Sequence, residues 1–310
     1  KNMRMSVYGQ GIYFVDTKNQ TAYCFRFSQK HGMGTLPDYQ VSNISEQHGT
    51  AVVTFNNGYM CRLDGYAQRV VWSDDFLLRN KLVTDNMAYA YVDGKNNYWV
   101  STNRGCLVYS TSQKKWFMSG REFLASQGIA APTDVAGHVI VRDVATDSKG
   151  HIWIATDHNG LYYIDYAKRL CRRFNYSPTD KGSISDNSLV QVYVDDRDAV
   201  WVGTYKNGVC YYSAAATKFY TIPMGDVCTI TQDTYGNLWC GTNDNGIIAY
   251  NPSTGQMQHY GQSETGLGTN VVVSSVTLSD GSMYFGTYNG GLTRYDHGQW
   301  KAIYQTPGGL

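Results

Sequence analysis

An acidic cluster is the first feature of the sequence that could do chemistry. Asp195, Asp196 and Asp198 lie almost side by side, and closely spaced carboxylates are ligands that calcium prefers. The cluster lacks the spacing and the terminal glutamate of an EF-hand loop, and it takes the place of an Asp-x-x-Gly turn found elsewhere in the chain. We therefore interpret it as a β-turn.

Other reactive side chains are scattered. The histidines show no HExxH or other paired ligand spacing, and there is neither a GxSxG nucleophile elbow nor a phosphate-binding glycine loop. The cysteines form no CxxC pair, and most lie in strand patterns, which predicts inert core thiols. We expect no metal, no cofactor and no catalytic nucleophile. These residues are His31, His48, His138, His151, His158, His259, His297, Cys24, Cys61, Cys106, Cys171, Cys210, Cys228 and Cys240.

Charge and hydropathy exclude several classes of partner. The formal net charge of the 310 residues is +1, with no run of lysine or arginine, so we expect neither nucleic acid nor an anionic membrane surface as a partner. No apolar stretch reaches the roughly 18 residues that a membrane helix needs. The first residues resemble neither a signal peptide nor a start methionine, which predicts a fragment of a larger protein.

A repeat organises the chain and positions the remaining candidates. Its clearest copies begin at Ile152, Val200, Leu238 and Met283, and each contains an aromatic residue, a small residue, a threonine and an Asn/Asp/Gly turn. The turn glycines recur about every 47 residues, within the roughly 40 to 50 typical of a four-stranded propeller blade. These anchors are Gly11, Gly58, Gly105, Gly160, Gly208, Gly246 and Gly291.

Each repeat can be divided into four short strands. The first is apolar, the second carries the aromatic residue, the third alternates, and the fourth is polar, as at an outer edge. The small residue after the aromatic predicts close packing of another blade. The sequence thus predicts an all-β, seven-bladed β-propeller of four-stranded antiparallel blades as a single domain over residues 1–310, whose first blade lacks its inner strand.

The turns between second and third strands and the linkers between blades are expected on one rim of a propeller. Asn159, Asn207, Asn245 and Asn289 are interpreted as structural because tight turns favour asparagine. Other rim residues vary between repeats, and their aromatic rings and hydrogen-bonding groups suit a polar, hydroxylated ligand such as a sugar. The cationic side chains among them could also pair with a uronate or sulfate group. We predict ligand binding by Arg104, His158, Tyr205, Lys206, Asp244 and Tyr288.

Alternatives to a sugar-binding rim remain open. Propellers also host glycosidases and lyases, and Asp157 and Asp244 are the rim acids available for such chemistry. A protein-binding scaffold is the third hypothesis. Two insertions, Trp72 to Asn86 and Ser119 to His138, are interpreted either as a wall over a rim, as a partner surface, or as packed surface loops.

The repeat resembles the two-component-regulator propeller repeat of Bacteroides-type hybrid two-component proteins. The linker from Phe174 to Asn187 resembles that family's inter-blade connection. In both, an aromatic residue, a proline and an aspartate are followed by a serine, an aliphatic residue, a second serine and an asparagine. The resemblance covers the whole chain, most closely Ala145 to Asp296. It implies a non-catalytic periplasmic sensor that binds an oligosaccharide and signals to a histidine kinase. It also implies neighbouring propeller and β-sandwich domains, allows a homodimer, and places membrane anchoring in segments outside this chain.

Overall fold

A computed structural model describes most of the chain, and it divides into two compact units. The described residues are 2–7, 11–16, 21–25, 40–47, 50–63, 69–84, 87–132, 139–213 and 219–303. The first unit comprises residues 1–154 and 162–172, and the second comprises residues 155–161 and 173–310. That residues 1–310 form one domain stays a prediction.

Antiparallel sheets follow one another along the chain, each formed by consecutive strands. The first sheet consists of β1 (Asn2–Val7), β2 (Gly11–Asp16) and β3 (Thr21–Phe25). Four-stranded sheets follow, which we call blades and number by their repeat. Blade two consists of β4 (Val41–Gln47), β5 (Thr50–Phe55), β6 (Met60–Leu63) and β7 (Val70–Asp74); blade three of β8 (Ala88–Val92), β9 (Tyr98–Thr102), β10 (Gly105–Ser110) and β11 (Lys115–Phe117); blade four of β12 (Ile140–Thr146), β13 (Ile152–Asp157), β14 (Leu161–Asp165) and β15 (Leu170–Phe174).

The last three blades have the same strand order. Blade five consists of β16 (Leu189–Val194), β17 (Val200–Thr204), β18 (Val209–Tyr212) and β19 (Tyr220–Ile222); blade six of β20 (Val227–Gln232), β21 (Leu238–Thr242), β22 (Ile247–Tyr250) and β23 (Met257–Tyr260); blade seven of β24 (Val272–Thr277), β25 (Met283–Thr287), β26 (Gly291–Asp296) and β27 (Gln299–Ile303). The short helices in the described residues are α1 (Phe76–Arg79), α2 (Gly120–Ser126) and α3 (Gln262–Thr265).

The number of blades differs from the sequence prediction. The described residues form six four-stranded blades, so the prediction of seven is wrong. Within the described residues, the first repeat contributes the three strands β1, β2 and β3. In the sheet that these strands form, β1 is an edge, and a complete blade would require a further antiparallel strand beside it.

Burial explains the strand patterns within each repeat. The second strands β9, β17 and β21 are buried at every residue because they are covered on both faces, which is why they read as continuous apolar runs. The outer strands β19 and β23 are mostly exposed, and most of their residues are polar or tyrosine. The predicted order of apolar inner strands and polar edge strands is therefore confirmed for these blades.

The hydrophobic core lies between the faces of successive sheets. In the first unit, Val52 of blade two packs in one cluster with Val92 and Val100 of blade three. In the second unit, Trp201 of blade five packs with Ile230 of blade six. Within each unit, inner strands lie beside the inner strands of the next blade. Face-to-face packing of four-stranded antiparallel blades defines the β-propeller class.

Polar side chains join the inner strands of neighbouring blades. In the second unit, the hydroxyls of Thr229 and Ser275 lie 2.8 Å apart, and those of Thr231 and Thr277 lie 2.9 Å apart. In the first unit, the amide of Asn43 donates to the carbonyl of Ala90 over 2.9 Å. Such bonds satisfy polar groups that neighbouring inner strands leave without a sheet partner.

The small residue after the tryptophan has the role that the sequence predicted. A Cβ atom built on Gly203 would lie 3.2 Å from Cγ1 of Val227, the first residue of the next inner strand. On Gly241 it would lie 2.6 Å from Cγ1 of Val272. The next blade therefore packs against the backbone itself at these two positions.

The two insertions pack against the first unit. Leu77 of α1 is fully buried, and the ring of Phe76 stacks on Trp116 at 5.0 Å. Phe123 of α2 belongs to the core cluster between blades three and four. Trp72, assigned to the first insertion, lies inside β7 instead. The packed-loop interpretation is confirmed for these helices, while residues 133–138 lie outside the described part.

Candidate ligand-binding face

A threonine and a glycine frame each turn between the second and third strands. The threonine hydroxyl donates to the carbonyl oxygen of the anchor glycine in five blades. The repeated threonine therefore closes the turn, a role that sequence reasoning did not assign. The pairs are Thr102–Gly105 at 3.1 Å, Thr156–Gly160 at 2.5 Å, Thr204–Gly208 at 2.8 Å, Thr242–Gly246 at 2.9 Å and Thr287–Gly291 at 3.0 Å.

The anchor glycine ties its turn to the following linker. The backbone N–H of Gly208, at φ +76°, donates to the carbonyl of Gly225 over 3.0 Å. Gly246 donates in the same way to Asn270 over 3.0 Å. A positive φ is strained for residues with a side chain, so the glycine is required by this geometry.

The beginning of each turn is bonded to its own blade. Tyr205 N–H donates to the carbonyl of Ser188 over 3.0 Å, and Tyr288 N–H donates to that of Val271 over 2.9 Å. In the second unit, turns and linkers thus form one hydrogen-bonded band, as predicted for a rim. We call this band the turn face; it consists of residues 157–160, 185–188, 205–208, 225–227, 243–246, 269–271 and 288–291.

Five of the six predicted ligand-binding residues lie on the turn face. They are His158, Tyr205, Lys206, Asp244 and Tyr288. Arg104 belongs to the first unit, where it lies exposed in the turn of blade three and its backbone N–H donates to the Thr102 hydroxyl over 3.1 Å. That these six residues bind a ligand stays a prediction.

Two tyrosines give the turn face its aromatic surface. Tyr205 is 55% exposed and Tyr288 is 63% exposed, although a buried place is the norm for large rings. The Lys206 ammonium lies 5.4 Å from the centre of the Tyr205 ring, within the range of a cation–π contact. Ring, cation and hydroxyl are thus presented together by adjacent residues of one turn.

His158 is paired with the neighbouring carboxylate. Its backbone has a φ of 65°, and its Nδ1 lies 2.7 Å from Oδ1 of Asp157. Asp157, considered above as a catalytic acid, is thereby in contact with an imidazole. This pair can offer both a donor and an acceptor to a polar ligand.

Two acidic residues of the linkers were missed by sequence reasoning. Burial raises the pKa of Cys228, and the charges of Asp226 and Asp244 raise it further. The backbone N–H of Asn243, next to Asp244, donates to the carbonyl of Asp226 over 3.0 Å. Asp186 accepts from the Asn207 amide over 3.2 Å. The sequence carries a signal for both, because Asp186 and Asp226 each lie in a linker just before an inner strand.

The acidic cluster of blade five is a turn, as the sequence indicated. Oδ1 of Asp195 accepts from the N–H groups of Arg197 and Ala199, and Oδ2 accepts from the Trp201 indole over 2.9 Å. The same carboxylate–indole bond joins Asp93 to Trp99, Asp147 to Trp153 and Asp233 to Trp239. No group of three or more metal-ligating side chains occurs among the residues that the structure describes.

The buried thiols are expected to be unreactive in the folded protein. Burial raises the pKa of Cys61 and of Cys240 to about 12, and both residues are fully buried. At pH 8, about one thiol in ten thousand would then be a thiolate, compared with roughly one in four for an ordinary cysteine. Mass spectrometry after iodoacetamide treatment should show these two residues labelled at least about a hundredfold more slowly than in urea; equal rates would contradict their burial.

Comparisons with known proteins support the fold class. The chain is similar to the extracellular domain of a putative hybrid two-component system from B. thetaiotaomicron, with 15% identity, a TM-score of 0.62, and coverage of 92% of this chain and 35% of that one. It is also similar to an inactive virginiamycin B lyase from Staphylococcus aureus, with 11% identity, a TM-score of 0.61, and coverage of 97% and 87%. No protein-family model matches the chain. The protein is therefore an all-β propeller.

A sequence relative extends this resemblance. The chain is 25% identical over 221 residues to a protein named histidine kinase P4 from Formosa agariphila, which covers 67% of this chain and 15% of that protein. The resemblance to hybrid two-component sensor proteins, predicted from the repeat, is confirmed. The chain spans about a seventh of the length of this relative. Within the described residues, no helix is long and apolar enough to cross a membrane.

Proposed function

We propose that this chain is a non-catalytic sensor domain of a hybrid two-component signalling protein, and that it binds an oligosaccharide on the turn face. The observation that carries the proposal is the exposure of Tyr205 and Tyr288 on turns that are held by backbone groups, the repeated threonine hydroxyl and other polar side chains such as Asn207. Neither tyrosine hydroxyl forms a hydrogen bond with the residues that the structure describes. Folding does not require tyrosine there. The names of the similar proteins support a sensor role.

The chemistry of the turn face suits a sugar. A pyranose ring presents an apolar face that can cover an exposed tyrosine ring, and its hydroxyls need fixed donors and acceptors. Lys206 supplies a donor beside the Tyr205 ring, and Asp244 supplies an acceptor on the turn of the next blade. Lys206 also provides a charge partner for a uronate or sulfate group.

Signalling requires that the ligand favour one arrangement of the receptor. A ligand that binds two arrangements of the receptor with equal affinity does not change the equilibrium between them, however tightly it binds. We propose that binding changes how this periplasmic region sits against neighbouring propeller and β-sandwich domains within a receptor dimer, and that a histidine kinase elsewhere in the same protein reads the change.

Removing either ring is expected to weaken binding. Tyr205→Ala and Tyr288→Ala should each raise the Kd for a bound oligosaccharide about tenfold, since truncating an aromatic anchor typically costs more than about 1 kcal/mol. Isothermal titration against neutral and acidic oligosaccharides measures the effect. Tyr220→Ala is the matched control, because Tyr220 is 59% exposed but lies on the outer strand β19.

Incubation with the same glycans distinguishes a sensor from an enzyme. Fold similarity to a lyase, and the presence of Asp226 and Asp244 on a linker and a turn that are bonded to each other, favour a glycan-degrading enzyme as second candidate. Incubation with the same glycans should leave their lengths unchanged. Shorter products that disappear with Asp226→Asn and Asp244→Asn would replace the sensor proposal with the enzyme, whereas unchanged binding in both tyrosine variants would remove the turn face as the site.

A further inference from the structure

A cleft lies in the second unit, between blades six and seven. Its volume is about 780 Å³. The turn between β20 and β21 and the turn between β22 and β23 contribute to it. In an antiparallel blade these turns lie at the end opposite the turn between the second and third strands, so the cleft is distinct from the turn face.

Aromatic side chains form the floor and one wall of this cleft. Trp239 lies in the floor, stacked on Tyr260 with ring centres 5.2 Å apart and against Tyr295 at 4.8 Å. Tyr235 stands on the wall and is 77% exposed. Among the described residues no aromatic ring packs against Tyr235, so its face is open to a ligand.

The polar groups of the cleft are of two kinds. Some hold the turns in place: the Asn237 amide donates to Asp233 over 2.8 Å, and Oδ1 of Asn251 accepts from the N–H groups of Ser253 and Thr254. The side-chain amides of Gln256 and Gln258 make no hydrogen bond to any residue that the structure describes, and both line the cleft. Each offers two donors and an acceptor to a ligand.

The acidic and basic side chains of the cleft already have partners within the protein. Asp233 accepts four hydrogen bonds, from the backbone of Tyr235 and Asn237, the Asn237 amide and the Trp239 indole. His297 Nδ1 lies 2.6 Å from Oδ1 of Asp296. No lysine or arginine occurs among the described residues that line the cleft. These conditions favour a neutral ligand over an acidic one.

The preceding pair of blades shows what keeps the cleft open. Between blades five and six, the Gln232 amide donates to Asp196 over 3.2 Å, and Arg197 reaches towards Gly236. In blade seven the position of Gln232 is held by the shorter Thr277, whose hydroxyl lies 2.9 Å from that of Thr231. Space between the turns of blades six and seven is therefore left for a ligand.

We propose that this cleft binds a neutral oligosaccharide, with one sugar ring on the face of Tyr235 and sugar hydroxyls bonded to Gln256 and Gln258. An exposed ring beside unpaired amides is the combination that a hydroxylated ring with an apolar face requires. The proposal does not depend on the turn face, because no residue is shared between the two sites.

The test is isothermal titration of the full chain with maltohexaose, xylohexaose, mannohexaose and a polygalacturonate oligomer. We expect at least one neutral sugar to bind, with a Kd raised about tenfold by Tyr235→Ala and by Gln258→Ala, and unchanged by Tyr220→Ala. Tyr205→Ala should leave this binding intact. Thermal unfolding confirms that each variant is folded, as the exposure of Tyr235 leads us to expect.

The outcomes separate the two sites. Binding weakened by Tyr205→Ala and Tyr288→Ala but not by Tyr235→Ala would overturn the cleft while supporting the turn face. Binding of the acidic oligomer alone, or of none of the neutral sugars, would also overturn the cleft. Binding that is weakened by Tyr235→Ala and Gln258→Ala, and not by Tyr205→Ala or Tyr288→Ala, would support the cleft and remove the turn face as the site for that sugar.

Discussion

Replacing Gly208 with alanine is expected to lower the free energy of unfolding by about 3 kcal/mol or more. Two costs combine. A residue with a side chain at φ +76° loses roughly 1 kcal/mol, and the new Cβ would collide with the carbonyl oxygen of Ile222 and lie 2.7 Å from the Met224 nitrogen. Both neighbours are backbone atoms, so relief requires the linker itself to move. Urea denaturation followed by circular dichroism measures the change.

Gly255 offers a matched control for this substitution. It has nearly the same φ, +73°, but nothing lies within 4 Å of the position that a Cβ would take. Gly255→Ala should therefore show only the conformational cost of about 1 kcal/mol. Equal losses in the two variants would mean that contact with the linker contributes nothing, and would contradict the hydrogen-bonded turn face.

Removing the carboxylate of Asp195 should have an effect of similar size. Asp195→Ala leaves the N–H groups of Arg197 and Ala199 and the indole of Trp201 without their acceptor. Ala199 and Trp201 are buried, and an unsatisfied buried donor costs about 1 to 3 kcal/mol. We expect a loss of about 3 to 5 kcal/mol in unfolding free energy, together with a change in tryptophan fluorescence.

The adjacent Asp196 provides the comparison. Its side chain is 69% exposed, so Asp196→Ala should cost less than about 1 kcal/mol despite the same change in charge. Trp201→Phe removes the indole donor but keeps a ring. The double variant Asp195→Ala/Trp201→Phe should therefore lose less unfolding free energy than the sum of the two single variants. Strict additivity of the two substitutions would show that the bond between them carries no energy.

Much of the fold could be predicted because each repeat contains the residues that determine its own turns and strands. The turn glycines, the fully buried second strands and the polar outer strands follow from local rules that apply to each repeat separately. The blade count failed at the first repeat, where glycine spacing identified a unit but could not supply a fourth strand. Trp72 was assigned to an insertion because the end of β7 carries no turn signal.

The candidate site was less accessible from sequence. That Tyr205 and Tyr288 are exposed could be expected from their turns, but the bond from Asn243 to Asp226 joins a turn to a linker that is distant in the sequence. The carboxylate–indole bond could have been found, because Asp and Trp are six residues apart in four repeats. It was missed because each aspartate already had an explanation as a turn residue.

The frame of threonine and glycine also bears on how such a protein can evolve. Between Thr204 and Gly208, the bonds that hold the turn leave the side chains of Tyr205 and Lys206 without a structural task. Mutations at these two codons should therefore change the chemistry of the surface at little cost in folding stability. Gene duplicates could diverge in ligand preference through a few substitutions per blade, with the scaffold inherited unchanged.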